Sequence, residues 1–435
     1  MSPIAVGILG SGLLVVLLFL GMPIAFVMML VGFLGISYLT SVNAALPVLA
    51  RTVYEVASNY PYTIIPLFIL MGGFAGNAGI TKELYQTFDK WFRKLPGGLG
   101  IATIAACAGF AALSGSSVAG AAAMGTIALP EMKRFHYAPK LATGVVAAGG
   151  TLGFLIPPSL GFVVYGMLTE QSIGKLLIAG ILPGILLSAA YIAIIIIEVK
   201  MDPSLAPMTP GGVSWKEKVL ALSGVWETLL VFFLVMGGIY LGFINPTEAG
   251  AIGATALFVI VLLKRRLTVN NLFISLLEAV RISVMVLFLV AGANVFSYFL
   301  ALSTIPTAVS TWMAELQVSP YIIFAIIVSI YLVLGCFLDA ISMMVLTMPV
   351  IFPVITTLGF DPIYFGVICV LMMEAGLITP PVGLNVYTLA GVAKDVPMED
   401  IFRGALPFLF SIIAAVIVIT IFPKIALFLP SMMGR

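Results

Sequence analysis

Four short stretches bring oxygen-bearing or conformationally free residues into otherwise apolar sequence. The first is Ser114-Gly115-Ser116-Ser117. The second, Gly149-Gly150-Thr151-Leu152-Gly153, runs up to Pro157-Pro158-Ser159. The third is Gly335-Cys336-Phe337-Leu338-Asp339, and the fourth runs from Glu374 and Gly376 through Thr379-Pro380-Pro381 to Asn385. Sodium and other hard cations take oxygen ligands, and an unwound helix offers its carbonyls for that purpose. One cation site would combine Ser114 and Ser117 with carbonyls near Gly150 and Gly153. A second would combine Gly335 and Asp339 with Gly376 and Thr379. An anion prefers the positive N-terminal ends of half-helices, beside which Ser159 and Asn385 offer hydrogen bonds. Capping freed backbone groups is the competing role for both.

Asp339 and Glu374 are the notable acids in apolar surroundings. A charge at bilayer depth costs about 2.5–3.5 kcal/mol on insertion scales, so each needs a partner or a wet cavity. For Asp339 this favours a functional role. Glu374 fits a site residue and a hydrogen-bond anchor for a broken helix equally well. Glu248, in Pro246-Thr247-Glu248-Ala249-Gly250, stands near a helix start, where negative charge is ordinarily favourable.

These residues have to be positioned inside a membrane. The 435 residues are 62% hydrophobic and 9% charged, whereas soluble domains carry roughly 25% charge. Residues 1–50, 95–130, 141–169, 176–197 and 282–314 contain no Asp, Glu, Lys or Arg, and about 20 apolar residues span a bilayer. Residues 4–20 resemble the core of a signal peptide. No basic segment precedes them, however, and hydrophobicity resumes after Gly21-Met22-Pro23, so two spanning helices are expected. Basic residues cluster at Lys90/Arg93/Lys94, Lys133/Arg134/Lys140, Lys216/Lys218 and Lys264/Arg265/Arg266. Such clusters are cytoplasmic anchors of a membrane protein rather than a nucleic-acid surface. Cys107, Cys336 and Cys369 lie far apart in apolar runs and read as buried thiols. The sequence has no Gly-x-x-x-x-Gly-Lys-Ser/Thr loop and a single histidine, His136, so neither ATP hydrolysis nor catalysis is indicated.

The spacing shows how two sites arise. Pro130, Pro139, Gly153, Pro157 and Pro158 recur as Pro353, Pro362, Gly376, Pro380 and Pro381, each pair 223 apart. Residues 95–130 are too long for one helix, and unpaired backbone in hydrocarbon costs several kcal/mol. Two short helices meeting at a buried tip, a re-entrant hairpin, are therefore expected. Residues 319–360 offer the same layout, with Asp339 at the position of Ser116. A helix interrupted by paired prolines follows each hairpin, because proline removes a backbone donor and crowds the preceding turn. A plain proline kink is the competing reading. The loop after the first hairpin carries Lys133, Arg134 and Lys140, whereas its counterpart, residues 354–363, has no Lys or Arg and one acid, Asp361. Positive residues favour the cytoplasm, so the equivalent loops face opposite sides, as in an inverted repeat. Residues 81–94 and 270–280 read as amphipathic interfacial segments.

Gly153-Phe154-Leu155-Ile156-Pro157-Pro158-Ser159, Asn245-Pro246-Thr247-Glu248-Ala249 and Gly376-Leu377-Ile378-Thr379-Pro380-Pro381-Val382-Gly383-Leu384-Asn385 resemble the large membrane subunit of tripartite ATP-independent periplasmic (TRAP) transporters. The likeness covers essentially the whole chain. It implies an all-α polytopic membrane protein of the elevator type, with two re-entrant hairpins and two broken helices in an inverted-topology repeat. Residues 1–94 would form the first half of the scaffold and 201–316 a loop and its second half. Residues 95–200 and 317–435 would form the two repeats of a transport domain, the latter with the last helix. About two Na+ sites are implied, at residues 114–117 with 150–153 and at 335–339 with 376–379. The family's substrate region falls between Ser117, Ser159 and Asp339. Its substrates are organic acids (sialic acid, C4-dicarboxylates and similar carboxylates) delivered by a periplasmic solute-binding protein. A separate small four-helix membrane subunit is the other implied partner, in the lipid of the bacterial inner membrane. The alternative is a stand-alone sodium–carboxylate symporter of the divalent-anion type.

Overall fold

The computed structural model describes residues 1–77, 79–207, 212–315 and 318–433, and among these every regular element is helical. A helix satisfies its own backbone in hydrocarbon, so apolar stretches of this length fold this way. Helix starts follow local chemistry. Pro139, Pro320 and Pro362 occupy first helical positions, where the missing N–H has no partner to lose. Five stretches among the described residues are long and apolar enough to cross a membrane, the longest being Val269–Ser303. Large apolar side chains such as Leu9, Phe233 and Val284 stand exposed on their helices, as expected of a surface covered by lipid or another membrane chain. The chain is a multi-pass membrane protein.

The 223-residue spacing reappears in the helix boundaries. The first hairpin has arms Gly98–Ser114 and Ser117–Arg134, and the second has arms Pro320–Gly335 and Ala340–Thr357. The first broken helix is Pro139–Leu155 followed by Leu160–Thr169. The second is Pro362–Leu377 followed by Leu384–Val392. Both Pro-Pro peptides at the breaks are cis. The two broken helices meet end to start. Near the end of the first, the Tyr165 hydroxyl donates to the Pro362 carbonyl at the start of the second, at 2.7 Å. At the base of the first hairpin, Lys133 pairs with Asp395, just beyond the second broken helix, and holds that carboxyl below the usual carboxylate range.

Framework helix Ile64–Asn77 packs against both Pro246–Leu263 and Val269–Ser303, the latter also reaching the second hairpin, and against the first arm of the first hairpin. The amphipathic helix Ile80–Phe92 links this framework to the hairpin, and Glu83 pairs there with Lys264 at 3.0 Å and Arg266 at 2.7 Å. Residues 270–280 do not form the separate interfacial segment expected from sequence. They are the first turns of Val269–Ser303. No Pro or Gly interrupts that helix before Gly292, so the polar residues ride on a continuous span.

Candidate substrate and cation site

The first hairpin turns at Gly115, in left-handed backbone with φ 58°, a conformation that side chains disfavour. Ser116 caps the second arm by accepting from the Ala119 N–H at 3.4 Å. The Leu160 N–H, just past the first break, donates to the Gly115 carbonyl at 3.4 Å and ties the tip to the broken helix. The fully buried Ser117 hydroxyl donates to the Glu374 carboxylate, whose oxygens lie at 3.0 and 3.1 Å. It accepts in turn from the Phe154 N–H at 3.1 Å. That N–H also reaches Glu374 Oε1 at 2.8 Å, and the Thr151 carbonyl lies 3.4 Å from the Ser117 hydroxyl. Gly153 packs closely here, since a Cβ on it would stand 2.5 Å from the Ser116 carbonyl carbon. Ser159 caps Leu160–Thr169, accepting from the Phe162 N–H at 3.3 Å and donating to the Phe154 carbonyl.

Asn385 reaches into the first repeat from the second. Its Nδ2 donates to the Ala147 carbonyl at 3.1 Å, beside Gly150. Asn385 Oδ1 and Ser114 Oγ are buried without a hydrogen-bond partner among the described residues. Buried polar atoms are normally paired, so these two oxygens are open to a ligand.

The second tip repeats the plan with different side chains. Asp339 caps Ala340–Thr357, accepting from the Ser342 N–H at 3.1 Å. The Val382 N–H, past the second break, donates to the Cys336 carbonyl at 3.3 Å. Gly335 and Gly376 bring the hairpin and the broken helix into backbone contact. The Thr379 hydroxyl turns back to the Ala375 carbonyl at 2.6 Å.

Both tips border one cavity of about 510 Å³, walled on the far side by Ile64–Asn77 and Val269–Ser303. Ser116, Asp339, Leu160 and Leu384 all line it, so the starts of four helices converge on one space. Ser114 lines it as well, whereas Ser117, Ser159 and Asn385 are fully buried behind its wall. The charged lining is acidic, Asp339 from the second tip and Glu278 from the framework. Sequence reading passed over Glu278, because an acid among residues taken as interfacial is unremarkable. The Glu374–Ser117 contact, 257 residues apart in sequence, left no local signal either. Asp339→Asn keeps the cap and removes the charge, and is expected to reduce uptake about fivefold or more with assembly intact. Uptake kinetics matching the unmodified protein would assign Asp339 to capping alone.

Paired tips and interrupted helices closing on a cavity within an apolar, multi-pass helical body are the architecture of a membrane transporter. The chain belongs to the family of the tripartite ATP-independent periplasmic transporter, DctM component, whose model matches residues 11–425. It is 37% identical to the C4-dicarboxylate TRAP transporter large permease protein DctM of Pseudomonas aeruginosa, covering 89% of this chain and 90% of that one. It is 30% identical to the sialic acid TRAP transporter large permease protein SiaM of Vibrio cholerae, covering 96% of each. The solved YdaH transporter of Alcanivorax borkumensis shares the fold, with a TM-score of 0.64 at 13% identity over 89% of this chain and 90% of that one.

Proposed function

We propose that this chain carries an organic-acid anion across the bacterial inner membrane together with sodium. The observation that carries the reading is the convergence of four helix starts and both hairpin tips on one cavity. Helix starts favour anions, and the relatives are named for carboxylates. Asp339 and Glu278 oppose such a substrate. Two like charges 4 Å apart repel by about 4 kcal/mol at an effective dielectric near 20. Sodium ions at the two tips offset that repulsion. The first would be held by Ser114 and Ser117 with carbonyls around Gly150 and Gly153. The second would be held by Gly335, Asp339, Gly376 and Thr379. The substrate meets Ser116 and Asp339 in the cavity, while Ser117, Ser159 and Asn385 shape the wall behind it.

Movement follows an elevator, with residues 95–200 and 317–435 sliding as one body against residues 1–94 and 201–316. The end-to-start contacts Tyr165–Pro362 and Lys133–Asp395 support an inverted relation of the two repeats, which lets them exchange conformations between the two faces. A small four-helix membrane subunit and a periplasmic binding protein complete the system. In proteoliposomes, uptake is expected to require an inward sodium gradient and to rise with an inside-negative potential. Equal uptake after replacing sodium with choline at fixed pH would overturn the coupling.

A further inference from the structure

Glu374 is fully buried in the second repeat, yet its hydrogen bonds are spent on the first. Among the described residues, no Lys, Arg or His forms an ion pair with it. An ionised carboxylate only accepts, whereas a hydroxyl has one hydrogen and two lone pairs. With its hydrogen committed to Glu374 and one lone pair to the Phe154 N–H, Ser117 Oγ keeps one lone pair for a cation. Without Glu374, the hydroxyl can rotate its hydrogen toward the Thr151 carbonyl at 3.4 Å. With a cation bound at the tip, an ionised carboxylate here would add negative charge beside it, in surroundings where charge is weakly screened. Among the described residues, the first repeat sends no equivalent side chain to the second tip. The residue equivalent to Glu374 is Thr151, whose hydroxyl bonds to the Tyr191 hydroxyl at 2.8 Å and to the Ala148 carbonyl at 2.6 Å. The second tip carries its own acid, Asp339.

We infer that Glu374 is the positioning residue of the first cation site, through which the second repeat sets the sodium affinity of the first. The inference rests on the sodium reading above. It concerns a residue that orients a ligand, and partners of this kind are worth about 10–100-fold in metal affinity.

The test uses the purified complex of this chain with its small subunit, carrying Glu374→Gln. Thermal stability is titrated with sodium chloride against choline chloride at constant ionic strength, and uptake is measured in proteoliposomes. The sodium concentration at half-effect is expected to rise about tenfold or more in both measurements. At saturating sodium, the substrate KM should stay within about twofold of the unmodified value. Glu374→Asp, which keeps the carboxylate, should recover part of the sodium affinity. A purely structural anchor would instead lower stability without sodium and leave the sodium midpoint in place, and that result overturns the inference. Should Glu374→Gln not assemble, Ser117→Ala removes the oriented hydroxyl and must show the same weakened midpoint. An unmoved midpoint there overturns the inference equally. If the unmodified complex shows no sodium response in either measurement, the sodium reading itself falls. If it responds and the variants match it, only the role of Glu374 falls.

Discussion

Gly376→Ala is expected to cut organic-acid uptake by about tenfold or more. A Cβ at this position would stand 2.7 Å from the Gly335 Cα and 2.8 Å from its carbonyl oxygen. Both are backbone atoms, so no rotamer change relieves the overlap. The reciprocal contact is equally tight, since a Cβ on Gly335 would meet the Gly376 Cα at 2.9 Å. Overpacking of this kind costs about 1–3 kcal/mol, with a factor of ten for every 1.4 kcal/mol. The hairpin can accommodate the methyl group only by withdrawing from the broken helix, which moves Asp339 out of the cavity wall. Gly391→Ala is the matched control. It lies in Leu384–Val392 and a Cβ there meets nothing within 4 Å. Its uptake should match the unmodified protein at equal membrane abundance. Full activity of Gly376→Ala at equal abundance would show that the second tip works without close docking.

The parts of this fold that were legible in sequence are those fixed by backbone chemistry. Proline, glycine and capping residues mark where a helix must start or stop, so Ser116 and Asp339 fell at equivalent helix starts, and the paired prolines at the breaks. The direction in which side chains face was far less legible. A soluble helix announces its buried side by an apolar stripe, but a helix between lipid and protein is apolar all round. The helix Pro362–Leu377 is buried along almost its whole length, and nothing in its composition marks Glu374 as turned toward Ser117 rather than toward the cavity. The same blindness kept the burial of Ser117, Ser159 and Asn385, the substrate residues expected from sequence, from being read: in the structure they lie behind the cavity wall. It also hid Glu278, whose exposure to the cavity depends on two framework helices packing beside both tips.

Reconstituted by itself, this chain is expected to take up free organic acid at near-background rates. Among the described residues, the cavity lining contains no Lys or Arg to clamp a carboxylate. Attraction has to come from helix starts and hydroxyls, with the proposed sodium ions beside them. Four helix starts at about 1 kcal/mol apiece amount to about 4 kcal/mol, a dissociation constant near 1 mM. Asp339 and Glu278 act against even that. So weak a site fills poorly from dilute free substrate, and it suits a ligand handed over at high local concentration by a soluble carrier docked on the membrane complex. Weak binding also favours release, since a tightly held anion would remain in the cavity after the tips had opened. Three preparations decide the matter: this chain alone, this chain with the small membrane subunit, and both with liganded binding protein. Under an inward sodium gradient, only the third should accumulate substrate well above background. The same binding protein without ligand, plus free acid at the same total concentration below its affinity, should give much less. Comparable rates from the chain alone would mean that its own cavity captures substrate efficiently, and would favour a stand-alone symporter.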